Sequence, residues 1–318
     1  MMNPKVSVCI PTYNCAKYLQ ETIESILSQT FTDFELIIID DCSTDHTKDI
    51  GLYYASRDKR ISFSANSSNI GQVNNCNLCL SKAKGDYIRY VFGDDLLTHK
   101  EAIVKMVDIL DANNDIVLVS SSRKVIDENS NEKKIWSHFR DITAAKGTAI
   151  INKCLSEQKN LIGEPSVVMF RKNLATRGFN EKYKQLVDLE LWFHLLEQGE
   201  FAYIDEPLTA FRSHLEQQTN KNWKNADDLN DTQYLFDEYL SKPYVNISNF
   251  KKSYIKYDYN YQRWKAYKEK RISKRQAIEK INHSYGIGKF YIFLPLYKIY
   301  KPFLKLKKHI QYVFGGFY

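Results

Sequence analysis

Two pairs of adjacent carboxylates, each at the end of an apolar run, are the residues whose type and spacing best suit chemistry. Asp40–Asp41 follows Ile37–Ile39, and Asp94–Asp95 follows Tyr87–Phe92 and a glycine. If both runs are strands of a parallel sheet, their carboxyl ends meet at one crevice, where such sheets bind ligands. Carboxylate oxygens suit Mg²⁺ or Mn²⁺, whose shells are completed by water and phosphates. The pattern predicts a site for a metal-bridged diphosphate. The alternative is that these acidic turns merely cap helices.

Strand and helix patterns alternate along the chain and would position these carboxylates. Strands are expected at 6–11, 34–40, 61–65 and 87–92, and helices at 16–29, 45–56, 73–82 and 101–112. This alternation predicts an α/β fold with a mostly parallel sheet and helices on both faces. Farther along, strands are expected at 116–120 and 165–171, a hairpin or loop at 127–134, and helices at 186–198 and across 225–283.

Charge is unevenly distributed along the 318 residues. Residues 1–241 contain 27 Lys and Arg against 35 Asp and Glu, whereas residues 242–318 contain 18 against 3. A basic block of this kind indicates an anionic partner, either a membrane surface or a nucleic acid.

The tail at residues 285–318 combines aromatic, apolar and lysine side chains. Its apolar residues recur at roughly helical spacing, with an interruption at Pro302. This pattern predicts a helix that lies in a membrane interface, and it favours lipid over nucleic acid as the partner. Lysines break every apolar run before the ~18 residues that a spanning helix needs. The alternative is that the stripe packs on the rest of the protein.

The amino terminus and the cysteines favour a cytoplasmic protein. Met1 is followed almost directly by an apolar strand, without the leader of a secreted protein. The six cysteines form no recognisable disulfide framework, so we expect reduced thiols. The CxxC spacing at Cys76–Cys79 lies in a helical pattern without a second pair, and we interpret it as core packing. We predict a cytoplasmic protein attached peripherally to the cytoplasmic membrane.

Three further segments complete an ordered set of motifs. The first strand ends in Pro11–Asn14, with a hydroxyl, a ring and an amide, and the later segments are Val187–Trp192 and Phe211–His214. In this order the motifs resemble those of the family 2 inverting glycosyltransferases, over roughly residues 4–215. The resemblance implies a nucleotide-sugar domain with the Rossmann-like GT-A fold. We place this catalytic domain at residues 1–220, followed by a helical, basic and aromatic C-terminal region at residues 221–318.

The resemblance assigns the early motifs to the nucleotide. Asp41 would bind the uracil edge of a UDP-linked donor, and Asp94 would contact the ribose. Arg60, where the third strand begins, is a further candidate for the base. The rest of the nucleoside pocket would be formed by the end of the first strand, with Pro11, Thr12, Tyr13 and Asn14.

The resemblance also implies a divalent metal cofactor, Mn²⁺ or Mg²⁺. Asp95 would bind the ion directly, Asp94 would be shared between ribose and metal, and His214 would complete the shell or contact phosphate. Phe92 stands where many family members carry another Asp. Two carboxylates remain compatible with a metal, because phosphates and water can fill the other positions. The cation would neutralise charge on the leaving nucleoside diphosphate.

Inversion requires a general base that takes the proton of the attacking hydroxyl. The resemblance places this catalytic residue at Asp188, in a segment where Val187 replaces the family's Glu. Glu190 is the neighbouring alternative, although on a helix it would face another direction. A structural alternative is that Asp188 only caps its helix.

The motifs together predict a hexosyl- or N-acetylhexosaminyltransferase. It would move a sugar from a nucleotide donor to a hydroxyl of a lipid-linked or growing surface polysaccharide, with no nucleic acid as partner. Residues 11–16 contain no glycine, which disfavours nucleotidyltransferases and dinucleotide oxidoreductases. The departures at Phe92, Cys76 and Val187 leave open a non-catalytic scaffold or binding protein that retains the fold.

Overall fold

One mixed sheet of ten strands runs through the described part of the chain, residues 3–140 and 142–314 of a computed structural model. Side-chain surroundings are described as far as residue 301, apart from residues 141 and 300. The strand order is β3-β2-β1-β4-β9-β6-β10-β5, with β7 beside β6 and β8 beside β10. The strands are β1 Val6–Thr12, β2 Phe34–Asp40, β3 Ile61–Ala65, β4 Tyr87–Tyr90, β5 Leu96–Leu97, β6 Ile116–Ile126, β7 Glu132–Trp136, β8 Ala144–Lys146, β9 Val168–Arg171 and β10 Glu200–Arg212.

The predicted α/β fold is confirmed, with a refinement of strand direction. Strands β3, β2, β1 and β4 are parallel neighbours, as the βα alternation predicts. Strand β9 then lies antiparallel between β4 and β6, whereas β6 and β10 are parallel. The sheet is therefore parallel in its first half and mixed beyond β4. An apolar run such as β9 predicts burial but carries no information about direction.

Apolar layers cover both faces of the sheet. Val8 and Ile10 of β1 pack with the apolar faces of the helices at Ala16–Leu27 and Ala102–Ala112, whereas Cys9 between them packs with the helices at Gln72–Lys82, Gly147–Glu157 and Val187–Leu196. This alternation follows from the two-residue period of a strand. The helices are α1 Ala16–Leu27, α2 Thr47–Ala55, α3 Gln72–Lys82, α4 Ala102–Ala112, α5 Gly147–Glu157, α6 Val187–Leu196, α7 Gln218–Lys224, α8 Asp227–Tyr239, α9 Asn249–Lys268, α10 Lys274–Ser284 and α11 Ile287–Phe314.

The C-terminal region is helical, as predicted, and shares its core with the sheet domain. Phe193 of α6 and Tyr239 of α8 have ring centroids 4.9 Å apart. Helix α9 packs on α11, where the ring centroids of Tyr257 and Phe290 lie 5.2 Å apart in a stacked arrangement. Among the described residues, none of the helices has the length and apolarity to cross a bilayer. The boundary at residue 220 stays a prediction, and residues 315–318 of the predicted membrane segment lie outside the described residues.

Gly147 begins α5 against the end of α6, where a side chain does not fit. A Cβ at this position would overlap the backbone carbonyl oxygens of Leu196 and Gly199. Because backbone cannot give way as a side-chain end can, we expect Gly147→Ala to lower the free energy of unfolding by roughly 1–3 kcal/mol. Gly288→Ala is the control, since a Cβ there would have no described atom within 4 Å. Chemical denaturation should separate the two variants, and equal midpoints would contradict this account of the α5–α6 contact.

Candidate active site

Hydrogen bonds join the loops that follow β1 and β2 at the carboxyl edge of the sheet. Asn14 accepts from the N–H of Thr44 at 2.8 Å, and its own N–H donates to Ser43 Oγ at 2.8 Å. Asp45 accepts from the N–H of Ala16 at 3.0 Å and so caps the start of α1. Asn14 adopts a left-handed φ of 51°, which Asn tolerates better than most residues. Asn14 therefore stabilises the conformation of the loop that follows β1.

The end of β1 approaches the turn that carries Asp94. A Cβ on Gly93 would lie 2.9 Å from Thr12 Oγ1, so the close approach depends on glycine. Thr12 is buried, Pro11 is half-buried in the strand, and Tyr13 is 42% exposed. Tyr13 therefore presents an accessible ring at the edge of the crevice, where a planar base could stack.

Asp41 lies at the same edge, but its carboxylate is already bound by the protein. Oδ1 accepts from Asn66 Nδ2 and from the N–H of Ile70, each at 2.8 Å, and Oδ2 accepts from the N–H of Gly71 at 2.9 Å. The residue is 2% exposed. Both oxygens therefore already accept hydrogen bonds from the loop after β3, and burial leaves little of the carboxylate open to a base.

Arg60 lies away from the crevice, which corrects the expectation that it contacts the base. It precedes β3, whose first residue pairs with Leu36, whereas the crevice lies beyond the other end of that pairing, at Asp40. Four residues of strand separate the two ends, or roughly 13 Å. Arg60 instead pairs with Asp58 at 2.7 Å, and its guanidinium covers Phe34. The amino end of a parallel strand lies on the edge opposite the ligand site.

Asp94 and His214 face one another across the crevice. Asp94 Oδ2 lies 2.9 Å from His214 Nε2, and both side chains retain some solvent exposure. The ring of Tyr18 packs against His214 at 5.4 Å. Carboxylate and imidazole are both acceptable ligands for a divalent transition metal. Among the described residues, no cluster of three or more His, Cys, Asp or Glu side chains is close enough to hold a metal.

Asp95 points away from the crevice, into the protein. Its carboxylate accepts from Ser166 Oγ at 2.5 Å and from the N–H of Arg212 at 2.9 Å, and its carbonyl accepts from Thr22 Oγ1 at 2.7 Å. The residue is 2% exposed. Burial and the neighbouring charge of Asp94 raise the pKa of Asp95 well above its usual value. These contacts and its burial turn the Asp95 carboxylate away from solvent, so the geometry favours Asp94 with His214 as the metal-facing pair.

Arg212 holds the turn that carries Asp94 and Asp95 in place. Its Nε donates to the carbonyl of Asp94 at 2.8 Å, and its guanidinium pairs with Glu21 at 2.6 Å. The guanidinium also lies over the ring of Tyr18, 4.5 Å from its centroid. Since Arg212 is buried, it positions the Asp94 turn instead of reaching into the crevice.

Asp188 lies in the first turn of α6, where burial raises its pKa to about 7. Asn160 Nδ2 donates to Asp188 Oδ2 at 3.1 Å, and Asp188 Oδ1 accepts from the N–H of Leu189 at 2.7 Å. The negative charge of Glu164 adds to the increase, and the positive charge of Arg123 opposes it. A carboxylate with a pKa near 7 is matched to proton transfer at neutral pH.

Glu190, the alternative base, has a structural partner. Its two carboxylate oxygens accept from Arg177 at 2.8 and 3.1 Å in a bidentate ion pair. The side chain is 5% exposed. Glu190 is therefore held in an ion pair on a different side of α6 from Asp188.

The segment 160–166 connects the two parts of the site. At one end Asn160 contacts Asp188, and at the other Ser166 contacts Asp95 and accepts from the N–H of Phe92 at 3.0 Å. The carbonyl of Gly163 accepts from Trp192 Nε1 at 3.0 Å, which ties the middle of the segment to α6. Asp188 and Asp95 are thus parts of one hydrogen-bonded framework.

Asp231 of α8 was not identified from the sequence. Its Oδ2 accepts from the backbone N–H groups of Lys184, Gln185 and Leu186 at 2.6–3.0 Å, just before α6 begins. A buried carboxylate that accepts three backbone hydrogen bonds fixes the conformation of the loop. Its removal would leave three N–H groups without an acceptor and would lower the free energy of unfolding. The C-terminal region thereby holds the helix that carries Asp188. An acidic residue in a polar helix gives no sequence signal of this role.

The chain matches the model of the family described as "Glycosyl transferase family 2" over residues 7–179. Among curated relatives, it is 29% identical over 232 residues to the "Putative teichuronic acid biosynthesis glycosyltransferase TuaG" of Bacillus subtilis, covering 70% of this chain and 84% of the relative.

Two solved structures share the fold. S. aureus TarS 1-349 in complex with UDP-GlcNAc has a TM-score of 0.68 and 21% identity, with 90% of this chain and 80% of that chain covered. The mannosyltransferase PcManGT from Pyrobaculum calidifontis, in complex with GDP-Man and Mn2+, has a TM-score of 0.56 and 16% identity, with 97% and 85% covered. The fold and the motif order agree with the family match, and this chain belongs to glycosyltransferase family 2.

Proposed function

We propose that this glycosyltransferase moves a sugar from a UDP-linked donor, with inversion, to a hydroxyl of a lipid-linked or growing surface polysaccharide. The proposal rests on one observation: the segment 160–166 connects two chemically suitable groups of side chains. On one side lies Asp188, a half-buried carboxylate with a pKa of about 7. On the other lies the Asp94–His214 pair, which faces the crevice.

The Asp94–His214 pair would hold a divalent ion, Mn²⁺ or Mg²⁺. Oδ2 of Asp94 and Nε2 of His214 lie 2.9 Å apart. If the two side chains moved slightly apart, one ion could contact both atoms. Two protein ligands leave positions for the donor's diphosphate and water. When bound, the ion would neutralise charge on the departing nucleoside diphosphate. Asp95 would act as a positioning residue, because its contacts to Ser166 and Arg212 set the direction of Asp94.

The donor would lie along the edge formed by β1, β2 and β3. Tyr13 offers an exposed ring to the base, and Asp41 shapes the same pocket through the loop at Asn69–Gly71 that it binds. UDP is the nucleotide we favour because the TarS complexes contain UDP-GlcNAc and UDP.

Asp188 would act as the general base. The acceptor hydroxyl would give its proton to a carboxylate oxygen of Asp188 as the oxygen attacks the anomeric carbon, opposite the diphosphate. Asn160 holds Oδ2 of this carboxylate, so one face of the group is fixed for the reaction. A polysaccharide acceptor agrees with the similarity to TuaG, whose name refers to teichuronic acid biosynthesis.

Membrane attachment would bring the enzyme to such an acceptor. We define the outer face of α11 as Ile292, Leu296 and Ile299. Each of these three residues is 60–70% exposed, whereas Phe290 and Tyr297 on the inner face are buried. Lys289 and Lys298 are exposed on the same helix, within the basic region of 18 cationic and 3 acidic residues. Exposed apolar side chains beside lysines suit the interface of an anionic bilayer.

The nucleotide site is tested by calorimetric titration of UDP, GDP, CDP and dTDP with and without Mn²⁺. We expect manganese-dependent binding of UDP and, in Asp94→Ala, a loss of about tenfold or more, since a metal ligand is removed. Asp49→Ala is the matched control, because Asp49 also pairs with a histidine, His46, at 2.9 Å, but both of these side chains are largely exposed. Unchanged manganese dependence in Asp94→Ala would contradict the assignment, and absence of binding for all four nucleotides would favour a scaffold.

The role of Asp188 predicts a pH dependence of activity. Because the base must be ionised, kcat/KM should rise with pH through about 7, and Asn160→Ala should move this limb to higher pH by removing a donor to the carboxylate. Asp188→Asn should lower turnover by about 10²–10⁴-fold. A pH–rate profile that is unchanged in Asn160→Ala would contradict this role.

Stability provides a control for the same substitution. The folded pKa of Asp188 is raised above its unfolded value, so the unfolded state releases this proton first and stability falls as the pH rises from about 4 to about 7, then levels off. Asp188→Asn should therefore unfold at a higher temperature than the natural protein at pH 8, with a smaller gap at pH 5. Loss of activity without loss of stability separates a catalytic from a structural role.

Membrane attachment is tested by vesicle flotation. The double variant Ile292→Asp with Leu296→Asp should bind phosphatidylglycerol vesicles about tenfold or more weakly, since each apolar side chain contributes ~1.5 kcal/mol when buried. Leu52→Asp is the control, because Leu52 is 49% exposed on α2, far along the chain from α11. Equal binding by the natural protein and the double variant, or binding to neither anionic nor neutral vesicles, would overturn this part of the proposal.

A further inference from the structure

Two aromatic side chains form a partly exposed pair beside the crevice. Trp136 ends β7 and pairs with Arg123 in the ladder, and Phe211 lies in β10 next to Arg212. Their ring centroids are 6.2 Å apart with planes inclined by 24°. Both rings are half-buried, so part of their apolar surface remains open to solvent. We call Trp136 and Phe211 the aromatic pair.

Contacts place the aromatic pair next to both halves of the site. The guanidinium of Arg123 lies 4.9 Å from the ring of Trp136, and its Nε lies 2.6 Å from Glu164 Oε2, within the segment that joins Asp188 to Asp95. Phe211 directly precedes Arg212, which binds Asp95 through its N–H and the Asp94 carbonyl through Nε. The pair is therefore linked to the segment 160–166 through Arg123 and to the turn at Asp94 through the backbone of Arg212.

The chemistry of an acceptor fits this surface. A pyranose ring presents a flat face of C–H groups with partial positive charge, and an aromatic face carries partial negative charge. We propose that Trp136 and Phe211 form the acceptor subsite, on which the sugar ring carrying the attacking hydroxyl stacks. This inference rests on the proposed function, because it requires Asp188 to receive the proton of that hydroxyl.

Lys134 covers the ring of Trp136 in this conformation and would have to move. Its Nζ lies 4.6 Å from the ring centroid, and the side chain is exposed. An exposed cation–π contact is weak, so a sugar ring could displace the lysine at little cost. Arg123, in contrast, is buried in its ion pair with Glu164 and would remain as the support beneath the ring.

The inference is tested by saturation-transfer NMR with methyl β-glycosides of glucose, galactose, N-acetylglucosamine and N-acetylmannosamine, in the presence of UDP and Mn²⁺. We expect at least one glycoside to receive saturation through its C–H face. In Trp136→Ala its affinity should fall by about fivefold, and Trp136→Phe should retain most of it because a ring remains. Ile135→Ala is the control, since Ile135 is 52% exposed on the same strand but faces the other side of the hairpin.

The outcomes separate this inference from the proposed function. Equal glycoside binding by the natural protein and Trp136→Ala, or equal loss in Ile135→Ala, would overturn the acceptor subsite. UDP titration of each variant shows whether the donor side is intact, and thermal unfolding shows whether the fold is intact. Unchanged UDP binding without any glycoside contact in the natural protein would refute the subsite alone, whereas absence of UDP binding would refute the proposed function.

Discussion

The burial of the Asp95 carboxylate is the constraint on which the site depends. A carboxylate removed from water must find donors, and an unpaired one would cost several kcal/mol. Here the donors come from distant parts of the chain, Ser166 and the backbone of Arg212. Satisfying Asp95 therefore holds β4, the segment 160–166 and the end of β10 together. Its neighbour Asp94 is consequently turned outward, toward His214.

A second constraint comes from the C-terminal region. Asp231 on α8 binds three backbone N–H groups just before α6, and Tyr239 packs on the same helix. Helix α8 is thus part of the support for Asp188, even though it lies outside the matched family segment of residues 7–179. The same region turns an apolar face of α11 to solvent. One region would therefore join positioning of the base to contact with a membrane.

The sequence was sufficient to predict the βα half of the fold and the convergence of its motifs. Apolar runs ending in acidic pairs identify the carboxyl edge of the sheet, and this edge does carry the loops of Asn14, Asp41 and Asp94. The antiparallel insertion of β9 could not be predicted in this way, because hydrophobicity marks burial and not direction. The stretch at 127–134 was expected to be a hairpin or loop, and β7 does form a hairpin with β6.

Side-chain direction was less predictable than position along the chain. Adjacent acids in a turn point to opposite surroundings, and only the donors at Ser166 and Arg212 reveal that Asp95 is the inward one. The role of Asp41 depends on how the loop at residues 66–71 folds back, and Arg60 was misplaced because its strand begins at the far edge. Asn160 and Asp231 act through tertiary contacts that no local pattern encodes.

The most direct test of the central claim is anomalous diffraction at the manganese edge from crystals grown with Mn²⁺ and UDP. We expect one strong peak within bonding distance of Asp94 and His214, bridged to the diphosphate, while Asp95 keeps its hydrogen bonds to Ser166 and Arg212. A peak bound to the Asp95 carboxylate, or one away from Asp94, would contradict the claim that burial of Asp95 sets the direction of the metal-binding side chain.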